Sequence, residues 1–209
     1  MKRHFLLLIV LIGFTTTNAQ DLINSKDFLF KNSPFHFAEA TFKMSIEKEL
    51  SENKSINLSG SIHLEEDGWN DHLARGVACE LQLRKYVIGF KNLEYSLNGV
   101  YVAPFGGLSY YRMSETYYDW YYEYDEFGNY IDWREEIKVD ASSKLIQAGI
   151  IMGTQYIFSN VILLDFFIGG GIQYSKEAGN RNRINNGGSE LRFYTGVIPK
   201  IGFNVGVKL

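Results

Sequence analysis

One cysteine and three prolines in 209 residues set the first limits on this chain. Cys79 has no second cysteine to bond, so no internal disulfide holds the fold. Proline that scarce leaves long extended segments free, because a proline cannot donate to a sheet ladder. An excess of one charge is also lacking: the formal net charge is −3, which gives nucleic acid no electrostatic footing. Past the first 14 residues no apolar run reaches the roughly 20 residues of a membrane-crossing helix. The nearest, VILLDFFIGGGI at 161–172, is broken by Asp165 and three glycines. Motifs that carry chemistry are missing as well: HExxH, a GxSxG elbow and a 12-residue calcium loop are all absent. No metal, cofactor or catalytic set is expected, and the chain reads as non-enzymatic.

What is present starts with an address. Met1-Lys2-Arg3-His4 is basic, Phe5 to Phe14 is a short apolar core, and Thr17-Asn18-Ala19 resembles a cleavage site. Residues 1–19 are therefore expected to be a secretory signal peptide, with the mature domain at 20–209. Removing Lys2 and Arg3 takes the net charge from −3 to −5.

The last stretch, LRFYTGVIPKIGFNVGVKL, has a period of two. Leu191, Phe193, Val197, Ile201, Phe203, Val205, Val207 and Leu209 share one face, and Arg192, Gly196, Lys200, Gly202, Asn204, Gly206 and Lys208 the other. A strand with one long apolar face and one small or polar face suits a β-barrel in lipid, whose crossings need about 9 to 11 residues. This is read as the closing strand of an outer-membrane barrel, with Pro199 at a bulge near the outer rim.

The same alternation recurs along the chain. A weak first strand is read at 21–31, a second over 35–49 with His36, Ala38, Ala40, Phe42 and Met44 on one face, and a third from Ile56 to Leu64 after a tight turn at 51–54. A helix over EATFKMSIEKEL ranks second for the 35–49 stretch. Further strands run from Gly76 to Arg84, where Cys79 reads as a small hydrophobe, then 99–113, 145–158 and 162–174. Residues 86–96 are ambiguous. Short connections (51–54, 158–160) alternate with long polar ones (65–72, 114–140, 176–190), the asymmetry of periplasmic turns against external loops. The expected fold is all-β, an eight-stranded antiparallel transmembrane β-barrel. Its lumen would hold Glu39, Lys43, Glu47, Glu80, Arg84, Asp165, Arg192 and Lys200 as ion pairs, too crowded for a diffusion pore.

The candidate binding residues lie in 114–136, where Tyr117, Tyr118, Trp120, Tyr121, Tyr122 and Trp133 interleave with Asp119, Glu123, Asp125, Glu126 and Asp132. Asp125 to Asn129 reads as a hairpin tip. Rigid aromatic area beside acidic groups suits an extracellular glycan, basic peptide or protein, and an interfacial aromatic girdle is the competing account. His63, His72, Glu65, Glu66, Asp67 and Asp71 gather at one loop without metal spacing and read as solvated. Lys176, Arg181 and Arg183 could touch lipopolysaccharide, although an ordinary polar loop is favoured.

Gly99-Val100-Tyr101-Val102-Ala103-Pro104, Gly153-Thr154-Gln155, Leu164 to Gly171 and the terminal strand resemble small, largely uncharacterised outer-membrane β-barrel proteins of Bacteroidetes-type bacteria, with an OmpA/OmpX-like architecture. The resemblance implies an outer-membrane location, contact with lipid and lipopolysaccharide, and delivery by the insertion machinery. Leu209 stands where such barrels end on an aromatic. Rival functions are a lipid- or lipopolysaccharide-modifying enzyme at the rim and a soluble periplasmic lipocalin-like barrel.

Overall fold

The computed structural model describes residues 28–51, 53–67, 72–90, 97–124, 127, 130–159, 161–179 and 194–209. The expected signal peptide, residues 21–27 and the charged residues Arg181, Arg183 and Arg192 lie outside them. Eight antiparallel strands close into a ring in chain order: β1 (Phe28–Asn32), β2 (Thr41–Ser51), β3 (Lys54–Asp67), β4 (His72–Gly89), β5 (Gly99–Tyr124), β6 (Tyr130–Phe158), β7 (Ile162–Gly179) and β8 (Gly196–Lys208). Both described ends of the chain, and the turn between β2 and β3, lie at what we call the lower end.

The period-two patterns place side chains as expected on most strands. On β4, Leu81 and Leu83 are exposed while Glu80, Gln82 and Arg84 are buried; on β7, Phe166 and Ile168 are exposed while Asp165 and Phe167 are buried. The sheet is thus apolar outside and polar at the centre of its interior, the reverse of a soluble sandwich.

Some sequence expectations need correction. Residues 35–39 are not strand: Pro34, with its fixed φ, opens a 3₁₀ turn over Pro34–Glu39 that ends at Ala40 in the left-handed region, φ 50°. His36, Ala38 and Ala40 therefore share no sheet face with Phe42. The helix ranked second is also absent, since EKEL belongs to β2.

Of the first strand expected over 21–31, residues 21–27 lie outside the described residues and the rest belongs to β1, which runs on to Asn32. It pairs with β8 at four positions, Leu29↔Lys208 to Asn32↔Val205, whereas β8 continues along β7 up to Gln173↔Gly196. The 3₁₀ turn fills the wall above that short seam, with Phe35 against Phe203 (5.6 Å between ring centroids) and Phe37 stacked on Phe42.

Pro199 sits in register opposite Gly170, with no bulge. Its missing N–H is tolerated because β8 has a strand on only one side at that level.

Of the expected long upper connections, 65–67, 114–124, 130–140 and 176–179 are strand, while 68–71 and 180–190 lie outside the described residues. β3 and β4 run to Asp67 and from His72, and β5 and β6 pair up to Tyr124↔Tyr130. The lower end in turn carries a longer link, 90–98, at the ambiguous stretch. Its Leu97 and Asn98 fold under the barrel, where the Ile157 N–H donates to Asn98 Oδ1 at 2.7 Å and Gln155 Nε2 donates to the Leu97 carbonyl at 3.0 Å.

Glycine lets two strands approach closely. A Cβ on Gly149 would lie 2.2 Å from the Gly170 carbonyl oxygen and 2.5 Å from the Gly171 Cα, whereas one on Gly60 would meet nothing within 4 Å. Gly149→Ala is expected to lower the urea midpoint, by about 1–3 kcal/mol in unfolding free energy. Gly60→Ala should leave it unchanged or slightly raised. Equal midpoints for the two would show that the strands can part without cost.

Candidate functional site

Two places concentrate polar or aromatic chemistry: the barrel interior and the ribbon formed by β5 and β6. In the interior, β1, β2, β4 and β7 each turn one charged side chain to a common point. Lys31, Glu47, Arg84 and Asp165 have no exposed side-chain surface. Lys31 pairs with Glu47, and its Nζ is 3.1 Å from Asp165; Arg84 Nη1 is 3.1 Å from Glu47 and 3.0 Å from Asp165. Two cations against two anions sum to zero, as burial requires.

Neutral partners take the remaining valences. Tyr86 donates to Glu47 at 2.8 Å, Tyr101 to Asp165 at 2.7 Å, Asn204 to Asp165 at 3.0 Å, and Gln155 accepts from Arg84 at 3.2 Å. The Arg84 guanidinium also lies over the Tyr101 ring at 4.3 Å. Leu29, Leu97, Ile157 and Leu163 are buried below this layer and Ile151 and Phe167 above it. The centre of the tube is filled by its own side chains, as the crowding argument for an eight-stranded barrel requires.

Of the eight lumenal charges expected, Glu47, Glu80, Arg84 and Asp165 are buried, while Lys43 and Lys200 are half-buried. Glu39 is exposed, because the 3₁₀ turn carries it off the strand phase. Lys31 was missed although it is fully buried, since its strand showed too short a pattern to assign a face. Lys200 pairs with Glu80, which also accepts from Gln82 at 2.8 Å.

Above that pair the interior opens into a polar chamber of about 210 Å³ that His36, Lys43, Ser59, Ser61 and Gln147 help to line. His36 Nδ1 is buried there with no hydrogen-bond partner among the described residues. Beside it, His63 is 3% exposed, which corrects the expectation of a solvated loop histidine. Its Nδ1 is 2.7 Å from Thr41 Oγ1 and its Nε2 is 3.1 Å from Glu65. That order resembles a nucleophile, base and orienting acid. The Thr41 hydroxyl has one proton, however, and the Glu39 carbonyl at 3.0 Å is a second acceptor for it beside His63 Nδ1. The side chain of His72 lies outside the described residues.

The ribbon is the second place. β4 leaves β5 at Ser114 and β7 leaves β6 at Ala141, so beyond these points, among the described residues, β5 and β6 pair only with each other. The expected hairpin tip lies between Tyr124 and Tyr130. The register divides the six candidate positions. Positions 118, 120 and 122 fall on one face, while 117, 121 and 133 fall on the other, with 121 opposite 133. Tyr118, Trp120 and Tyr121 are exposed; the side chains of Tyr117, Tyr122 and Trp133 lie outside the described ones.

Among the described residues no cluster of histidine, cysteine and acidic side chains could hold a metal ion, and no helix is long and apolar enough to cross a membrane. No family model and no curated relative matches the sequence. Among solved structures the chain is similar to the N-terminal β-barrel domain of Pseudomonas aeruginosa OprF, at 14% identity over 89% of this chain and 98% of that one, with a TM-score of 0.37.

Proposed function

We propose that this chain is a non-catalytic outer-membrane β-barrel protein whose β5–β6 ribbon mediates contact at the cell surface. The observation that carries the reading is the inverted sheet. Ile46, Leu58, Leu81, Leu108, Ile150 and Ile168 stand exposed on six successive strands while the charged residues turn inward. In water such a continuous apolar girdle would aggregate, since soluble monomers rarely expose apolar patches beyond a few hundred Å². In hydrocarbon the same girdle needs no cover.

Outward charges fall at the edges of the girdle. On β4, Arg75 and Lys85 bracket the uncharged outward residues Val77, Cys79, Leu81 and Leu83, a crossing of about ten residues. With both described ends of the chain at the lower, periplasmic side, the ribbon stands outside the cell. Its exposed Tyr118, Trp120 and Tyr121 offer flat contact area to a glycan or protein. Deleting 117–133 should leave a folded, heat-modifiable barrel in the outer-membrane fraction while abolishing cell-surface adhesion or aggregation. Unchanged adhesion would remove the role given to the ribbon and leave the location standing.

A further inference from the structure

On the outward face of β4 to β7, like charges stand opposite one another. Arg75 pairs across the ladder with Arg112, and Lys144 with Lys176. All four are exposed. Like charges directly opposed on one sheet face repel, so this level of the barrel gains when an anion lies between them. The acids nearby offset only part of the charge: Asp140 is 3.8 Å from Arg112 and is itself exposed, and Glu66 stands diagonally from Arg75 on β3.

Directly beneath, Val77, Cys79, Leu108, Tyr110 and Ile146 line a shallow apolar groove of about 550 Å³, with Lys144 also on its wall. A cationic shelf over an apolar groove matches a molecule with an anionic head and a hydrocarbon tail. The shelf spans three strand spacings of about 4.8 Å each, wider than a single phosphate and suited to a head with two separated ones.

Resting on the outer-membrane reading, we propose that this face binds a phosphorylated glycolipid of the outer leaflet. Its phosphates lie among Arg75, Arg112, Lys144 and Lys176, and one acyl chain lies along the groove. Arginine supplies paired N–H donors to phosphate oxygens, and lysine a point charge. Among the described residues the lower end has one like-charged pair, Lys54↔Lys85, which lies at the opposite leaflet and serves as the comparison.

Native mass spectrometry of the detergent-solubilised barrel tests the assignment with three probes: bisphosphorylated lipid A, the same lipid stripped of phosphate, and phosphatidylglycerol. The wild-type protein is expected to retain the bisphosphorylated form at least about tenfold better than either other lipid. Arg75→Gln/Arg112→Gln/Lys144→Gln should remove that preference, Lys54→Gln should keep it, and inorganic phosphate should not compete at equal concentration. Equal retention of the stripped lipid by the wild type overturns the proposal without any variant, and so does full retention by the triple variant. Phosphatidylglycerol held as firmly overturns the two-phosphate head. Failure of the outer-membrane reading has a different signature: the wild-type protein would be missing from that fraction.

Discussion

Arg84→Met will lower the unfolding free energy of the barrel by about 3–5 kcal/mol, because it leaves Glu47 and Asp165 facing Lys31 alone at a fully buried point. Methionine keeps much of the volume, so the loss is one of charge balance rather than of packing. Arg84→Met/Asp165→Asn restores neutrality, leaving Lys31 with Glu47, and should recover more than half of the lost stability. Urea titrations of the protein folded in lipid vesicles, followed by intrinsic fluorescence, give both values. A double variant as unstable as the sum of its singles would show that the four charges act independently. The coupling expected from groups that share partners is about 0.5–3 kcal/mol.

Ile150→Arg and Ile168→Arg will each cost about 2–4 kcal/mol in vesicles, the penalty of a cation at the bilayer midplane. Both side chains are exposed, at 61% and 60%. In a soluble barrel of the lipocalin type the same substitutions would shift stability by no more than about 0.5 kcal/mol. The outcome therefore separates the two solvents directly. A graded series strengthens it: Arg112, already cationic at the upper edge, marks the depth at which an added charge should become harmless. If the arginine variants keep the wild-type urea midpoint, these strands do not face hydrocarbon.

The difference between what could be read from the chain and what could not has a physical basis. Faces were legible because a period of two assigns them without knowledge of neighbours. Ile146, Ile150 and Met152 point outward opposite Gln155 in the structure as in the pattern. The 3₁₀ turn was not legible, since His36-Phe37-Ala38-Glu39 alternates by chance and the left-handed residue that ends it is an alanine rather than the glycine that would have signalled it. Partners inside the tube were out of reach too. Lys31 and Asp165 are 134 residues apart, and only closure of the ring brings them together. The reach of β5 and β6 was underestimated for a third reason. The ribbon has no apolar face to alternate, and beyond Ser114 and Ala141 its two strands have, among the described residues, only each other as partners.

The four-position seam between β1 and β8 also bears on how the molecule is assembled and lost. A hoop fails at its clasp, and here the clasp is, among the described residues, the shortest row of rungs, made by residues from opposite ends of the chain. Every other row grows out of a neighbouring hairpin, so the clasp is the last to fasten and the first to slip. When it slips, the remaining rows persist as an open, curled ribbon of sheet that can fasten again without unravelling.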